Sequence, residues 1–202
     1  MLRCPRIQHD LKGDDLSESS VTESRDINAP ASEIFSILCD PALQPAIDGT
    51  GMLRSAVDNQ VINQVGDVFY IEMTHWDRGD YVMENLVVEF EQDRRVAWEP
   101  VAQTSENPKF ASDPQHPEPR RWGWQLEPLS EDRTRVTEFF DGSRLSKGLR
   151  DFIKNGEFWR SAMVTSLENL ERIVNQPGRE SGDSPNSETA QQFVELYREN
   201  DL

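Results

Sequence analysis

The spacing of apolar residues changes character along this chain, and each change predicts an element. Val21 to Asn28 alternates loosely, the two-residue repeat of a strand, and ends in Ala29-Pro30. Ala31 to Cys39 then carries Ile34, Phe35 and Leu38 on one face, a short helix whose first turn suits Pro30 and which Asp40-Pro41 breaks. Pro41 to Ile47 predicts a second short helix, ended by Asp48-Gly49-Thr50-Gly51. After that the period falls back to two. Strands are predicted over about 52–58, 66–75, 81–91, 95–101, 121–129 and 133–141. Near the C-terminal end the helical period returns. Leu149, Phe152, Ile153, Trp159, Met163, Leu167, Leu170 and Val174 form one stripe, interrupted by Asn155-Gly156. The pattern predicts a lead-in turn and one long helix from about Gly156 to Val174, roughly 28 Å long. Asn175, Pro177 and Gly178 stop it.

A helix with one apolar face must bury that face, and the strands before it are the only surface on offer. Their connectors are short turn sequences: Asp58-Asn59, Asp77-Arg78-Gly79-Asp80, Gln92-Asp93-Arg94 and Ser130-Glu131-Asp132. Short connections make antiparallel neighbours, so the strands form a meander. The exception is the polar stretch 102–120, which holds Pro108, Pro114, Pro117 and Pro119 and reads as a lid or a surface excursion. The fold class is α+β: a curved antiparallel sheet of about seven strands around the long C-terminal helix, with two short helices after the first strand. The first strand can close the sheet beside the last. Residues 1–20 are expected to be a disordered polar tail, 21–175 the domain, and 176–202 a linker with a short helix through Phe193, Leu196 and Tyr197.

Composition then removes whole classes of function. The chain has 202 residues, 21 Lys and Arg against 37 Asp and Glu, and a formal net charge of −16. Such a surface repels phosphate backbones, so nucleic acid is not an expected partner, and anionic membranes are disfavoured. No apolar run approaches a membrane span, and the first twenty residues hold no signal-peptide core. Cys4 and Cys39 make no disulfide framework, so free thiols and a cytoplasmic location are expected. No phosphate loop, no nucleophile elbow and no metal-ligand spacing occurs; the histidines are His9, His75 and His116. No cofactor or metal is expected.

Several stretches carry a resemblance. They are Ile27-Asn28-Ala29-Pro30-Ala31-Ser32-Glu33-Ile34-Phe35, Leu38-Cys39-Asp40-Pro41, Asp48-Gly49-Thr50-Gly51 and Val65-Gly66-Asp67-Val68-Phe69. Then come Met83-Glu84-Asn85-Leu86-Val87-Val88-Glu89-Phe90, Ala97-Trp98, Trp122-Gly123-Trp124-Gln125-Leu126-Glu127-Pro128 and Thr134-Arg135-Val136-Thr137. In this order they resemble the START/SRPBCC superfamily, with its helix-grip fold, over about Val21 to Val174. Within it the chain is most similar to the bacterial polyketide cyclase/dehydrase and lipid-transport group. The resemblance implies fold rather than chemistry, because that superfamily contains binders, carriers and enzymes. The tails and the stretch 102–120 fall outside its pattern.

Period two places Phe69, Ile71, Met73 and His75 on one side of a strand, the more apolar one, so that His75 would sit at the end of a cavity. There it is a candidate acid/base or ligand hydrogen-bond donor, or a rim histidine satisfied by water. If 76–80 is a hairpin loop, His75 pairs with Tyr81, and Tyr81, Met83, Asn85 and Val87 point inward. A slip of one residue turns Glu84 inward instead, as a second candidate acid/base. Trp122, Trp124 and Leu126 share a face, Trp98 shares one with Val96, and Trp159 lies on the helix stripe. These rings either line a pocket or fill a core. Glu138 lies between Val136 and Phe140 and is either inward or salt-bridged. The candidate ligand site is therefore Phe69, Met73, His75, Asn85, Trp98, Trp124, Trp159 and Met163, with His75 and Glu84 as catalytic candidates. The leading expectation is a binding protein, monomer or homodimer, for an apolar or aromatic, polyketide- or lipid-like molecule. A cyclase/dehydratase-type enzyme working without metal, and a chaperone- or ribosome-associated interaction role, are the alternatives.

Overall fold

The computed structural model describes residues 20–58, 60–75, 79–105 and 119–176. Seven strands form one sheet: β1 Ser20–Ile27, β2 Leu53–Ala56, β3 Val68–His75, β4 Gly79–Glu91, β5 Arg95–Ser105, β6 Arg121–Ser130 and β7 Arg133–Asp141. Their order is β1-β7-β6-β5-β4-β3-β2, with every neighbouring pair antiparallel. The meander runs in sequence from β2 to β7, and β1 closes onto β7 from Ser20↔Asp141 to Ile27↔Thr134. Between β1 and β2 lie α1 (Ala31–Leu38), a 3-10 turn (Pro41–Leu43) and α2 (Gln44–Ile47). After β7 come α3 (Lys147–Phe152), a 3-10 segment (Lys154–Trp159) and α4 (Arg160–Val174).

Helix α4 lies across the concave face. Met163, Ser166, Leu167, Leu170, Ile173 and Val174 are its buried residues, the three-and-four spacing expected of one stripe. One end of the concave face is packed solid: Ile27, Ile34, Leu38, Leu43 and Leu170 have no accessible surface. Arg25 on β1 bonds Glu171 of α4 at 2.6 Å and reaches Glu168 at 3.8 Å, which ties the edge strand to the helix. The turn after α2 is ordered by Asp48, whose carboxylate accepts from the backbone N–H groups of Thr50, Met52 and Leu53 at 2.8–2.9 Å. Gly49 in that turn sits directly on α4. A Cβ there would lie 2.0 Å from the Ala162 carbonyl oxygen, so only glycine allows this approach.

The long helix starts at Arg160 rather than Gly156. Lys154 and Gly156 have φ of 50° and 93°, in the left-handed region, so α-helix cannot run through them and a 3-10 segment bridges the gap. The apolar stripe is accordingly split: Phe152 on α3 is 81% exposed, while Leu149 and Ile153 stay half-buried. The hairpin between β3 and β4 is shorter than expected. His75 pairs with Gly79 and Met73 with Tyr81, a shift of two residues that leaves every side chain on its expected face. The tails, the stretch 106–118 and the proposed helix through Phe193 lie outside the described residues.

Candidate ligand cavity

The inward residues of the sheet are fixed by the ladders. On β3 these are Phe69, Ile71, Met73 and His75; on β4, Tyr81, Met83, Asn85 and Val87. Asn85 is 4% exposed and Phe69 lies opposite it, so the register that turns Asn85 inward is the one adopted. Glu84 points to the other face, opposite Tyr70, where its charge and a hydrogen bond hold the Tyr70 phenol above its ordinary pKa. It is not brought together with His75 and Asn85. The Asn85 amide donates to the Met83 carbonyl at 3.2 Å. His75 is half-buried at the far end of β3.

The next strands add an aromatic wall. Trp98 pairs with Trp122, and Trp122 with Phe140, all facing α4. The Phe69 and Trp98 rings meet edge-on at 5.5 Å, Trp122 meets Phe140 at 4.7 Å, and Trp122 meets Trp159 edge-on at 5.4 Å. Trp159 enters from the 3-10 segment that leads into α4, and Met163 follows one turn later. Gly156 permits this by its φ and by contact, since a Cβ there would lie 2.8 Å from the Phe140 ring. Of the expected ligand residues, Phe69, Asn85, Trp124 and Met163 are buried, whereas Met73, His75, Trp98 and Trp159 keep accessible surface. Trp122, absent from that expectation, stands in the middle of the wall. Its two-residue spacing from Trp124 was the signal that marks it.

Glu138 on β7 faces inward between Val136 and Phe140 and opposite Trp124. Among the described residues no arginine is paired with it. The Ser166 hydroxyl of α4 lies beside the carboxyl, and Oε2 is enclosed without a partner. Burial, reinforced by the nearby Asp48 charge and opposed by the neighbouring Ser166 hydroxyl, pushes its pKa from 4.5 up to about 8. The acid is therefore mainly protonated at neutral pH. Ser166 itself is held by the Gly49 N–H, which it accepts at 3.0 Å, and by the Ala162 carbonyl at 3.1 Å. Trp159 Nε1 is the other enclosed polar atom on this face without a partner.

The outer face is organised differently. Glu89 bonds both Arg95 and Arg121, and Glu99 bonds Arg121 and Arg144, with Arg95 stacked 4.3 Å over Phe139. A depression of about 370 Å³ lies there, lined by Arg95, Arg121, Gln125, Thr137 and Phe139 among others. Its guanidiniums are paired with carboxylates in an ion-pair network, although Arg121 Nε is enclosed without a partner. Among the described residues no group of three or more His, Cys, Asp or Glu could hold a metal, and no helix is long and apolar enough to cross a membrane.

No family model matches the chain. An uncharacterized protein of Mycobacterium tuberculosis is 28% identical over 168 residues, covering 82% of this chain and 67% of that protein. Among solved structures, a protein from Arthrobacter aurescens superposes with a TM-score of 0.59 at 16% identity, over 85% of this chain and 92% of its own. One from Nitrosomonas europaea gives 0.57 at 20% identity, over 79% and 96%. One from Chromobacterium violaceum gives 0.56 at 14%, over 78% and 98%. At such identities the likeness is one of fold. The shared fold is helix-grip-like, a curved antiparallel sheet holding a C-terminal helix.

Proposed function

We propose that this protein is a START/SRPBCC-like domain, over about residues 21–175, that binds a small apolar or aromatic molecule between α4 and the concave face of the sheet. One observation carries the reading: the gradient of burial along that face. At the α1 end Ile27, Ile34, Leu38 and Leu43 have no accessible surface, and Phe90 packs partly buried against Phe35. At the end where α4 begins, inward Met73, Trp98, Trp122 and Trp159 remain partly accessible. Wide rings that keep accessible surface, and a few polar groups set among them, are the makings of a site for a flat or chain-like apolar ligand, polyketide- or lipid-like in character. Phe69, Met73, Asn85, Trp98, Trp124, Trp159 and Met163 would line it, and His75 would stand at its rim. The negative surface argues against nucleic acid as partner.

Tryptophan fluorescence tests this, since Trp98, Trp122 and Trp159 sit on the proposed wall. Titration with a panel of flat apolar compounds should quench or shift the emission saturably, and His75→Ala should weaken some ligands without abolishing binding. Native mass spectrometry of protein from its own host should retain a small molecule. Unchanged emission across the panel together with a ligand-free mass would refute the reading.

A further inference from the structure

Two enclosed polar atoms on the concave face are without a partner in an otherwise apolar wall: Glu138 Oε2 and Trp159 Nε1. Such atoms are rare in native interiors because each has given up its water for nothing. They flank the same stretch of β6. Glu138 lies opposite Trp124, Trp159 meets Trp122, and Trp122 and Trp124 are two positions apart on one face, about 7 Å along the strand. We propose that these two groups form the polar end of the ligand site and together donate hydrogen bonds to one uncharged acceptor oxygen, a carbonyl or ether, on an otherwise apolar ligand. The proposal rests on the cavity reading above and deepens it.

The surroundings decide the sign of the ligand. From β1, Glu23 and Arg25 face α4; from the turn after α2, Asp48; from α4 itself, Ser166 and Arg160. Arg25 is taken by Glu171 and Glu168, and Arg160 by Glu157 and Glu23. Among the described residues no cation is left to neutralise Glu138, so burial keeps the carboxyl protonated and able to donate. Ser166 lies beside the carboxyl, and Oε2 has no partner. An indole N–H can only donate. Two donors beside fixed negative charges select a neutral acceptor and reject a carboxylate.

The test compares acetylnaphthalene with ethylnaphthalene, two probes of one shape that differ in a single carbonyl oxygen. At about pH 6 the wild type should bind the ketone about tenfold more tightly, the size of one good hydrogen bond. Glu138→Leu, an apolar replacement that relieves a buried acid, should bring the two within about twofold, and Trp159→Phe should give a partial loss. Raising the pH through about 8 should erase the preference in wild type but not in Glu138→Gln, whose amide still donates. Circular dichroism verifies that each variant is folded. Equal binding of the two probes by wild type, or an undiminished preference in Glu138→Leu, overturns the proposal and leaves the cavity standing. Failure of both probes to bind overturns the cavity reading and this proposal with it.

Discussion

Exchanging Glu138 for glutamine should change how stability depends on pH, by an amount the structure sets. The carboxyl ionises at its ordinary 4.5 in the unfolded chain and at about 8 in the native one. A folded pKa above the unfolded one means that the group's contribution is fully present below about 4.5 and is lost as pH rises towards 8. Across that window the unfolded chain releases a proton that the native chain keeps. At about 1.4 kcal/mol per pH unit the whole window amounts to about 4–5 kcal/mol, and the span from pH 5 to pH 7 to about 3 kcal/mol. Glutamine has nearly the same shape and does not titrate. Its own unmatched donors impose a constant cost of about 1–3 kcal/mol, which does not vary with pH. The informative quantity is therefore the stability difference between variant and wild type. The repulsion expected of a chain with a net charge of −16 largely cancels in it. Urea denaturation followed by tryptophan fluorescence at several pH values between 5 and 8 measures it. The difference should move in favour of Glu138→Gln by about 3 kcal/mol between pH 5 and 7. Parallel stability profiles for the two proteins would refute a buried, neutral Glu138.

Gly49→Ala should cost about 3 kcal/mol or more, because its Cβ would fall 2.0 Å from the Ala162 carbonyl oxygen and both sides of the contact are backbone. A thermal melt reads this, and a loss under about 1 kcal/mol would mean the turn can move away from α4 freely. Trp159→Ala should destabilise by about 2 kcal/mol, less than a fully buried tryptophan would, since the ring is half-buried against Trp122 and Phe158. The same change should weaken binding of aromatic probes more than it weakens the fold; a loss of about 5 kcal/mol with binding intact would make Trp159 a core residue. Cys39 is buried, and burial, with Asp93 and Asp40, pushes its thiol up to about 12. It should resist alkylation at neutral pH until the protein is unfolded, and mapped labelling of Cys39 in native protein would contradict its burial.

The order of elements was legible because the apolar period changes cleanly between two and 3.6, and because short polar turns admit only antiparallel neighbours. The faces of β3 were legible for the same reason. β4 was not settled by pattern alone: Tyr81, Met83, Asn85 and Val87 alternate with Val82, Glu84, Leu86 and Val88, and each set has one polar member. Only the pairing of Phe69 with Asn85 decides between them. The start of α4 was misplaced because a stripe of apolar side chains carries no record of backbone φ, and Gly156 needs 93°. Glu138 is the hardest case. Alternation puts it inward, but whether an arginine meets it depends on partners far away in sequence, and here Arg25 and Arg160 are both engaged elsewhere. Burial without a counter-ion is a property of the assembled fold that no local spacing encodes.

The central claim is that a ligand binds between α4 and the aromatic wall of the sheet. Methyl NMR of the methionines tests it most directly, because Met163 and Met83 are buried residues of the two elements, α4 and β4, between which the site is proposed. Titrating the isotope-labelled protein with acetylnaphthalene should shift both methyl resonances saturably and with one dissociation constant, the ring currents acting on both sides of the groove at once. Saturable binding that leaves the Met163 and Met83 methyls unmoved would put the ligand elsewhere and contradict the account.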